Sequence, residues 1–340
     1  MKILLIGNGF DLAHNLPTQY NDFLDVCEGV ENELLPAPPV NVRYEDFRKT
    51  VSLEDYKRFR DLVKNNVWVG HFRSERSRLG KQWGDFETGI QFAVCSIRKS
   101  EESSDDDVFR LNILSKLHQL IYKKCGRGRC TYKMAYACLS RELDELAHAL
   151  EVYFSLYVGK KETERQALFM SLGVDKLLSF NYTTTFNDNY IEFQRERFEW
   201  CYIHGRAGDS LKSQKCGLVL GFDDHYLEEG RAIINTVPFE KYYQRIVKCA
   251  DNKYFQWIEE IEETKENSEL YIFGHSLSPS DGDILRRFIT SVYVKTIVFY
   301  REDSDDRAEK VANLAIILGP DELIKLAGGT HPQIEFRPIR

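Results

Sequence analysis

Four short motifs in this sequence join an apolar run to glycine and polar side chains. The first is the run 7–11, Gly-Asn-Gly-Phe-Asp, which follows the apolar residues 3–6. Glycines at a strand-to-helix turn let backbone N–H groups approach a pyrophosphate, and the helix N-terminus adds a positive dipole end. Leu12 stands where the dinucleotide fingerprint has its third glycine. The motif predicts contact with a nucleotide phosphate, while an ordinary turn is the competing interpretation.

The second and third motifs end apolar runs with an amide and an imidazole. Residues 177–180 lead into Asn181, whose amide can hold a ribose hydroxyl or an attacking water. Residues 201–203 lead into His204, and histidine titrates near neutral pH and can accept a proton from a sugar hydroxyl. The competing interpretation of Asn181 is a turn residue whose side chain hydrogen-bonds to its own backbone. The competing interpretation of His204 is a buried histidine with a purely structural role.

The fourth motif is the run 270–277, in which an apolar stretch is followed by Gly-His-Ser-Leu, with Asp281 soon after. A turn of this kind can hold a ribose. A helix cap at Ser276 or Ser280, with the aspartate in the first helical turn, explains the same residues equally well. Parallel strands end at one edge of a sheet, so the four motifs together indicate a ligand site more strongly than any one alone.

The elements that must position these motifs are short apolar runs with β-branched or aromatic content. They predict strands at 2–6, 176–180, 200–204, 218–222, 269–273 and 294–300, with a weaker one at 333–337. Several of these runs are almost entirely apolar, which is typical of strands that helices cover on both faces. The sequence therefore predicts an α/β, Rossmann-like fold with a mostly parallel sheet and helices on both faces.

A long helical stretch separates the first two predicted strands. It is too long for a simple crossover and predicts a large helical insertion after the first βα unit. The proline-rich residues 36–39 mark where the insertion begins. Within it, a leucine stripe over 139–150 predicts core packing or contact with a partner. We expect a nucleotide-binding core of residues 1–40 and 166–340 and a helical insertion of residues 41–165.

Composition and charge narrow the classes of partner. A hydrophobic fraction of 43% over 340 residues allows a sizeable core, so disorder is not expected. The net charge of −7 argues against a nucleic-acid partner. The apolar run 3–6 is too short for a signal peptide or membrane span, so we expect a cytoplasmic protein with no membrane partner. Cys125 and Cys130 lack a second cysteine pair, and no metal is expected.

The order of the motifs resembles the AbiH family of bacterial abortive-infection proteins. AbiH proteins in turn resemble sirtuins and the sirtuin-like NAD hydrolases of phage defence. Sirtuins carry glutamine where Phe180 stands and aspartate where Thr183 stands, and their four-cysteine zinc module is absent here, so protein deacylation is not expected. The resemblance rests on the runs 7–14, 16–18, 83–87, 180–183, 203–205, 220–222 and 274–277.

The resemblance implies NAD as the ligand or substrate. It gives Asn181 the asparagine role beside the nicotinamide ribose and His204 the role of the ribose-facing base, which makes these two residues the candidate catalytic pair. The candidate residues for binding the nucleotide, from the motifs and the resemblance together, are Gly7, Asn8, Gly9, Phe10, Asp11, Thr183, Gly274, His275, Ser276 and Asp281.

These residues favour one function and leave others open. The leading hypothesis is an anti-phage NAD glycohydrolase that cleaves the nicotinamide–ribose bond through an oxocarbenium-like transition state. The alternative is a non-catalytic sensor of a nucleotide or ADP-ribose, which signals through its helical insertion to a second copy or a partner defence protein. A nuclease would need carboxylate metal ligands. Residues 223–225, Asp-Asp-His, are the compact candidate for these and more simply form a polar loop.

Overall fold

The computed structural model describes residues 1–33, 35–80, 86–104, 107–110, 112–126, 130–213, 215–223, 234–302 and 304–339. The strands of these residues are β1 (Lys2–Ile6), β2 (Lys176–Ser179), β3 (Glu199–Tyr202), β4 (Ser268–Phe273), β5 (Val294–Tyr300) and β6 (Ile334–Pro338). The α-helices are α1 (Asn8–Ala13), α2 (Tyr20–Asn32), α3 (Val42–Thr50), α4 (Leu53–Val63), α5 (Val67–Leu79), α6 (Phe86–Glu102), α7 (Lys116–Cys125), α8 (Tyr132–Leu156), α9 (Ala167–Leu172), α10 (Thr185–Tyr190), α11 (Lys241–Val247), α12 (Tyr254–Thr264), α13 (Gly282–Ile289), α14 (Asp306–Leu318) and α15 (Pro320–Ala327).

The six strands form one parallel sheet in the order β3-β2-β1-β4-β5-β6. In its centre, Leu4 of β1 pairs with Leu177 of β2 on one side and Tyr271 of β4 on the other. This is the doubly wound order, in which β2 and β3 are added on one side of β1 and β4, β5 and β6 are added on the other side. The predicted Rossmann-like α/β fold is confirmed. Ligands of open α/β sheets bind at the point where the order of the strands reverses, beside the carboxyl ends of the strands.

Helices cover both faces of the sheet, as the apolar strands predicted. Successive side chains of a strand point to opposite faces, and in β1 Ile3 and Leu5 join one core cluster while Leu4 and Ile6 join another. The first cluster includes apolar residues of α12, α13, α14 and α15. The second includes residues of α1, α9 and α10. Each fully buried leucine or isoleucine contributes about 1.5–3 kcal/mol to the hydrophobic stabilisation of this sheet.

The prediction of a strand at 218–222 is wrong. The other predicted strands are present, and their ends lie within one or two residues of the expected positions. The backbone N–H of Leu220 donates to Gln244 Oε1 at 2.9 Å, and its carbonyl accepts from Gln244 Nε2 at 2.7 Å. Phe222 makes one isolated bridge with Glu240. The side-chain amide thus satisfies the backbone groups that a neighbouring strand would pair, so this buried apolar run remains irregular.

The chain folds into two compact units. The Rossmann unit contains Met1–Thr18, Lys161–Arg206 and Asp251–Arg340, and the helical unit contains Gln19–Lys160 and Ala207–Ala250. The sheet belongs to the first unit, while α2–α8 and α11 belong to the second. Residues 207–250 therefore group with the helices, which the sequence pattern did not indicate. The division of the sequence at residues 40 and 165 into folding units stays a prediction.

The long helix α8 forms the centre of the helical unit and packs against α4, α5 and α7. Its leucine stripe is buried in this packing. Of the two predicted uses of the stripe, core packing and contact with a partner, the structure shows core packing. The four leucines are Leu139, Leu143, Leu146 and Leu150, all at most 3% exposed. Among the described residues, no helix combines the length and the apolar character that crossing a bilayer requires.

Candidate functional site

The first glycine turn lies tightly against the turn that follows β4. Gly9 N–H donates to the Gly274 carbonyl at 2.7 Å, and Gly7 N–H donates to the Phe273 carbonyl at 3.2 Å. A Cβ on Gly9 would lie 2.7 Å from the Cα of Gly274, which is closer than two carbon atoms can pack. Close approach of two backbones therefore accounts for these glycines, and both amides have partners within the protein. The expected contact of Gly7 and Gly9 with a pyrophosphate stays a prediction.

A buried carboxylate in α1 joins the first and second motifs. Asp11 Oδ2 accepts from Asn181 Nδ2 at 3.2 Å and from the Thr183 hydroxyl at 2.6 Å. The three residues, which we call the Asp11 cluster, are all at most 7% exposed. The structure thus brings together three of the predicted site residues, from the carboxyl ends of the adjacent strands β1 and β2. The Asn181 side chain donates its amide N–H to Asp11, and its side-chain carbonyl is the group that could accept from a ligand.

The Asp11 carboxyl is strongly affected by its surroundings. Burial raises its pKa to about 6, while hydrogen bonds from Thr183 and Thr185 partly offset this effect. Its second oxygen, Oδ1, is buried with no hydrogen-bond partner among the described residues. A charged carboxylate with an unsatisfied buried oxygen is costly. The neutral acid is therefore more favoured here than in an exposed aspartate.

A second carboxylate, Asp281, faces two imidazoles. Asp281 Oδ1 lies 3.4 Å from His204 Nε2, and Oδ2 lies 3.4 Å from His275 Nε2. We call these residues the Asp281 cluster, and all three are at most 6% exposed. His204 follows β3, and the other two residues follow β4, so the parallel order of the sheet brings them to its carboxyl edge. A carboxylate in this position can orient an imidazole and stabilise an imidazolium.

The hydrogen bonds of His275 define its tautomer and its structural role. Leu277 N–H donates to His275 Nδ1 at 2.9 Å, so the ring proton is assigned to Nε2, the nitrogen that faces Asp281. Leu277 has a φ of +57°, and Gly274 has a φ of +66°. A left-handed leucine stores backbone strain of about 1–3 kcal/mol, which this hydrogen bond helps to hold. His275 thus fixes both the turn after β4 and one side of the Asp281 carboxylate.

The ring of Phe180 packs against both imidazoles of the Asp281 cluster. Its centroid lies 4.5 Å from that of His275 and 5.5 Å from that of His204, both edge to face. The residue is 8% exposed. The sequence suggested no role for this side chain other than a departure from the sirtuin pattern. In the structure its apolar ring lies against both imidazoles, and Asn181 of the Asp11 cluster follows it directly in the chain.

Other predicted site residues lie apart from these two clusters. Asn8 and the Ser276 side chain are exposed, and Phe10 is buried in the aromatic core beside Phe169. The expected serine cap is displaced by two residues, because Ser278 Oγ accepts from Ser280 N–H at 3.3 Å and caps the short turn before α13. Residues 83–85 of the family pattern and residues 224–225 of the nuclease alternative lie outside the described residues.

The strand order and the polar clusters at the carboxyl edge define a doubly wound, Rossmann-like protein with a candidate site at its topological switch point. Residues 3–300 match the family model described as Bacteriophage abortive infection AbiH. The chain therefore belongs to the AbiH family of bacteriophage abortive-infection proteins, and the resemblance inferred from its motifs is confirmed. No curated protein and no solved structure was found to match the chain.

Proposed function

We propose that this AbiH protein acts in phage defence by hydrolysing NAD at the bond between nicotinamide and ribose. The family assignment supports a role in abortive infection, and the doubly wound strand order supports a dinucleotide ligand. The observation that carries the proposal is the approach of His204 Nε2 to Asp281 Oδ1, at 3.4 Å, at the carboxyl edge of the sheet. Depletion of NAD would halt the infected cell before phage release.

In the proposed reaction His204 acts as the general base. Its imidazole, which lies beside the Asp281 carboxylate, accepts a proton from water or from a ribose hydroxyl. The C1′–N bond breaks with its electron pair on nicotinamide, and the water oxygen bonds to C1′. The products are nicotinamide, ADP-ribose and a proton, which passes from the imidazole to solvent. Asp281 is a positioning residue that stabilises the imidazolium during this transfer.

The Asp11 cluster has a positioning role in the same proposal. Asn181 is held by its Nδ2 donor to Asp11, which aims its side-chain carbonyl at the nicotinamide ribose or the attacking water. Thr183 holds the same carboxylate oxygen from the other side. A site built on the ends of strands gives this orientation a rigid support.

The direct test is to incubate the purified protein with NAD and to measure nicotinamide release. We expect turnover by the natural chain, a severe loss in His204→Ala and a loss in Asn181→Ala. His331→Ala, an exposed histidine of the same unit, is the control and should retain full activity. Each variant is compared with the natural chain by circular dichroism. Turnover unchanged in both His204→Ala and Asn181→Ala would remove the roles assigned to them.

A non-catalytic sensor is the second candidate, because both proposed catalytic side chains face carboxylates of the protein itself. Asn181 donates to Asp11, and His204 faces Asp281. Such a site binds a nucleotide or ADP-ribose and passes the signal through the helical unit to a partner. Thermal stabilisation by NAD or ADP-ribose without release of nicotinamide would favour the sensor over the enzyme.

A further inference from the structure

A buried cluster in the helical unit has the residue types of a transition-metal site. His148 and Glu151 lie three residues apart on α8, so their side chains share one face of the helix. Cys216 reaches the same point from the segment 207–223 of this unit. One ligand atom from each residue lies within 4.8 Å of the other two.

The distances in this cluster fit a single ion. His148 Nδ1 lies 3.8 Å from Glu151 Oε2, and Cys216 Sγ lies 3.7 Å from the same oxygen. Ligands of a tetrahedral Zn²⁺ stand about 2.0–2.3 Å from the metal, which separates them from one another by about 3.3–3.8 Å. The three atoms therefore need only small movements to share one ion.

Hydrogen bonds around the cluster hold its ligand atoms in the orientation that a metal requires. The other carboxylate oxygen, Glu151 Oε1, accepts from Ser210 N–H at 2.9 Å and from Ser210 Oγ–H at 2.7 Å. This leaves Oε2 directed at the imidazole and the thiol. Leu218 N–H donates to Cys216 Sγ at 3.4 Å, a bond that stabilises a thiolate. Such outer contacts are a regular part of metal sites in proteins.

Charge balance also favours a cation. Glu151 is 0% exposed and Cys216 is 5% exposed, and a buried carboxylate is costly unless it is paired with positive charge. A divalent ion would balance one carboxylate and one thiolate, with a neutral imidazole as the third ligand. Its binding would release the thiol proton to solvent.

We propose that His148, Glu151 and Cys216 bind one Zn²⁺, with water in the fourth position. The mixture of thiolate, imidazole and carboxylate suits zinc better than the hard ions Mg²⁺ and Ca²⁺. The ion would hold residues 215–223 against α8 within the helical unit. This proposal replaces the expectation of a metal-free protein, which rested on the spacing of Cys125 and Cys130 and could not foresee a site built from distant residues.

Metal analysis of the purified chain tests the site without any activity assay. We expect about one zinc per chain, and a near-complete loss in His148→Ala and in Cys216→Ala. Cys249→Ala removes an exposed cysteine of the same unit and should retain the metal. A natural chain that is purified in the presence of zinc and still carries none would overturn the proposal.

Cobalt substitution tests metal binding in the natural chain, so it remains informative even where a variant fails to fold. The natural chain loaded with Co²⁺ should show the visible bands of a tetrahedral ion and a near-ultraviolet sulfur-to-cobalt charge-transfer band. The same spectrum without the charge-transfer band is expected for Cys216→Ser. If Cys216 instead only donates a hydrogen bond to Glu151, the natural chain takes up no cobalt and shows neither feature. Neither experiment depends on NAD hydrolysis, so the two proposals fail separately.

Discussion

The two buried aspartates at the carboxyl edge of the sheet differ in the chemistry of their partners. Asp11 is 1% exposed and accepts from an amide and a hydroxyl, whereas Asp281 is 6% exposed and faces two imidazoles. In the proposed function the two aspartates therefore have different roles at similar burial. The neutral donors around Asp11 would hold side chains in position, whereas the imidazoles around Asp281 would take part in a proton transfer.

The largest effect is expected for the proton acceptor of the Asp281 cluster. His204→Ala should lower the rate of nicotinamide release by roughly a thousandfold, since general-base catalysis contributes about 10²–10⁴-fold. Steady-state kinetics with NAD measures the loss, and the effect should fall on kcat more than on KM. A loss of less than tenfold would mean that the Asp281 cluster does not carry the proton transfer.

The next effect is on stability and concerns the other carboxylate. Because the pKa of Asp11 is raised to about 6 from 3.8, the native state binds more protons than the unfolded state between these values. The contribution of Asp11 to the free energy of unfolding should therefore fall as pH rises from about 4 to 6 and stay level above that. At 1.36 kcal/mol per pKa unit, the penalty at pH 7 is up to about 3 kcal/mol.

Asp11→Asn tests this contribution, because the amide oxygen can still accept from Asn181 and Thr183. Urea unfolding from pH 4 to pH 8 should show higher stability of the variant at pH 7 and a weaker decline with pH. Asp321→Asn, on the exposed surface of α15, serves as the control and should leave the profile unchanged. An unaltered decline in Asp11→Asn would show that this carboxyl is not the group responsible.

Asp281→Asn should have a smaller effect on catalysis than the loss of the base itself. The amide keeps the shape of the side chain but removes the negative charge that faces both imidazoles. We expect a loss of kcat on the order of 10²-fold and a changed pH profile of kcat, because the imidazolium formed during turnover loses its counter-charge. A raised KM with an unchanged pH profile would instead indicate a role in binding alone.

The smallest expected effect concerns the contact between the turns that carry the two clusters. Gly173 and Gly274 both have left-handed backbones, with φ of +58° and +66°. A Cβ added to Gly274 would lie 2.2 Å from Phe10 N, whereas a Cβ added to Gly173 would have no atom within 4 Å. Gly173→Ala should cost about 1 kcal/mol for its backbone conformation. Gly274→Ala should cost about 2 kcal/mol more in urea unfolding, because the turns must separate. Equal losses would mean that the close approach contributes nothing.

The sequence predicted the fold well where an element depends on its own residues. The apolar runs 3–6 in β1 and 297–300 in β5 indicate buried parallel strands without knowledge of their neighbours. The run 218–222 has the same composition, but its backbone partner is the side chain of Gln244, more than twenty residues further along the chain. Local pattern cannot reveal such a partner. It predicts that a segment is buried, but not which group satisfies its backbone.

The candidate site shows the same limit. Asn181, His204 and Asp281 were found from their positions after apolar runs, and the parallel sheet explains why these positions meet. The sequence did not reveal that Asp281 faces both His204 and His275, because strand order determines that meeting. Nor did it reveal the cluster proposed to bind zinc. Its local sign is the spacing of His148 and Glu151 on a helix, and Cys216 lies far away in sequence.

The most direct test of the proposed function is an experimental structure with a non-hydrolysable NAD analogue, in which a methylene group replaces the oxygen of the nicotinamide ribose. We expect this ribose to lie at the carboxyl edge of β1 and β4, with a hydroxyl or the attacking water within hydrogen-bond distance of His204 and Asn181. An analogue that binds with its nicotinamide ribose away from both side chains would contradict it.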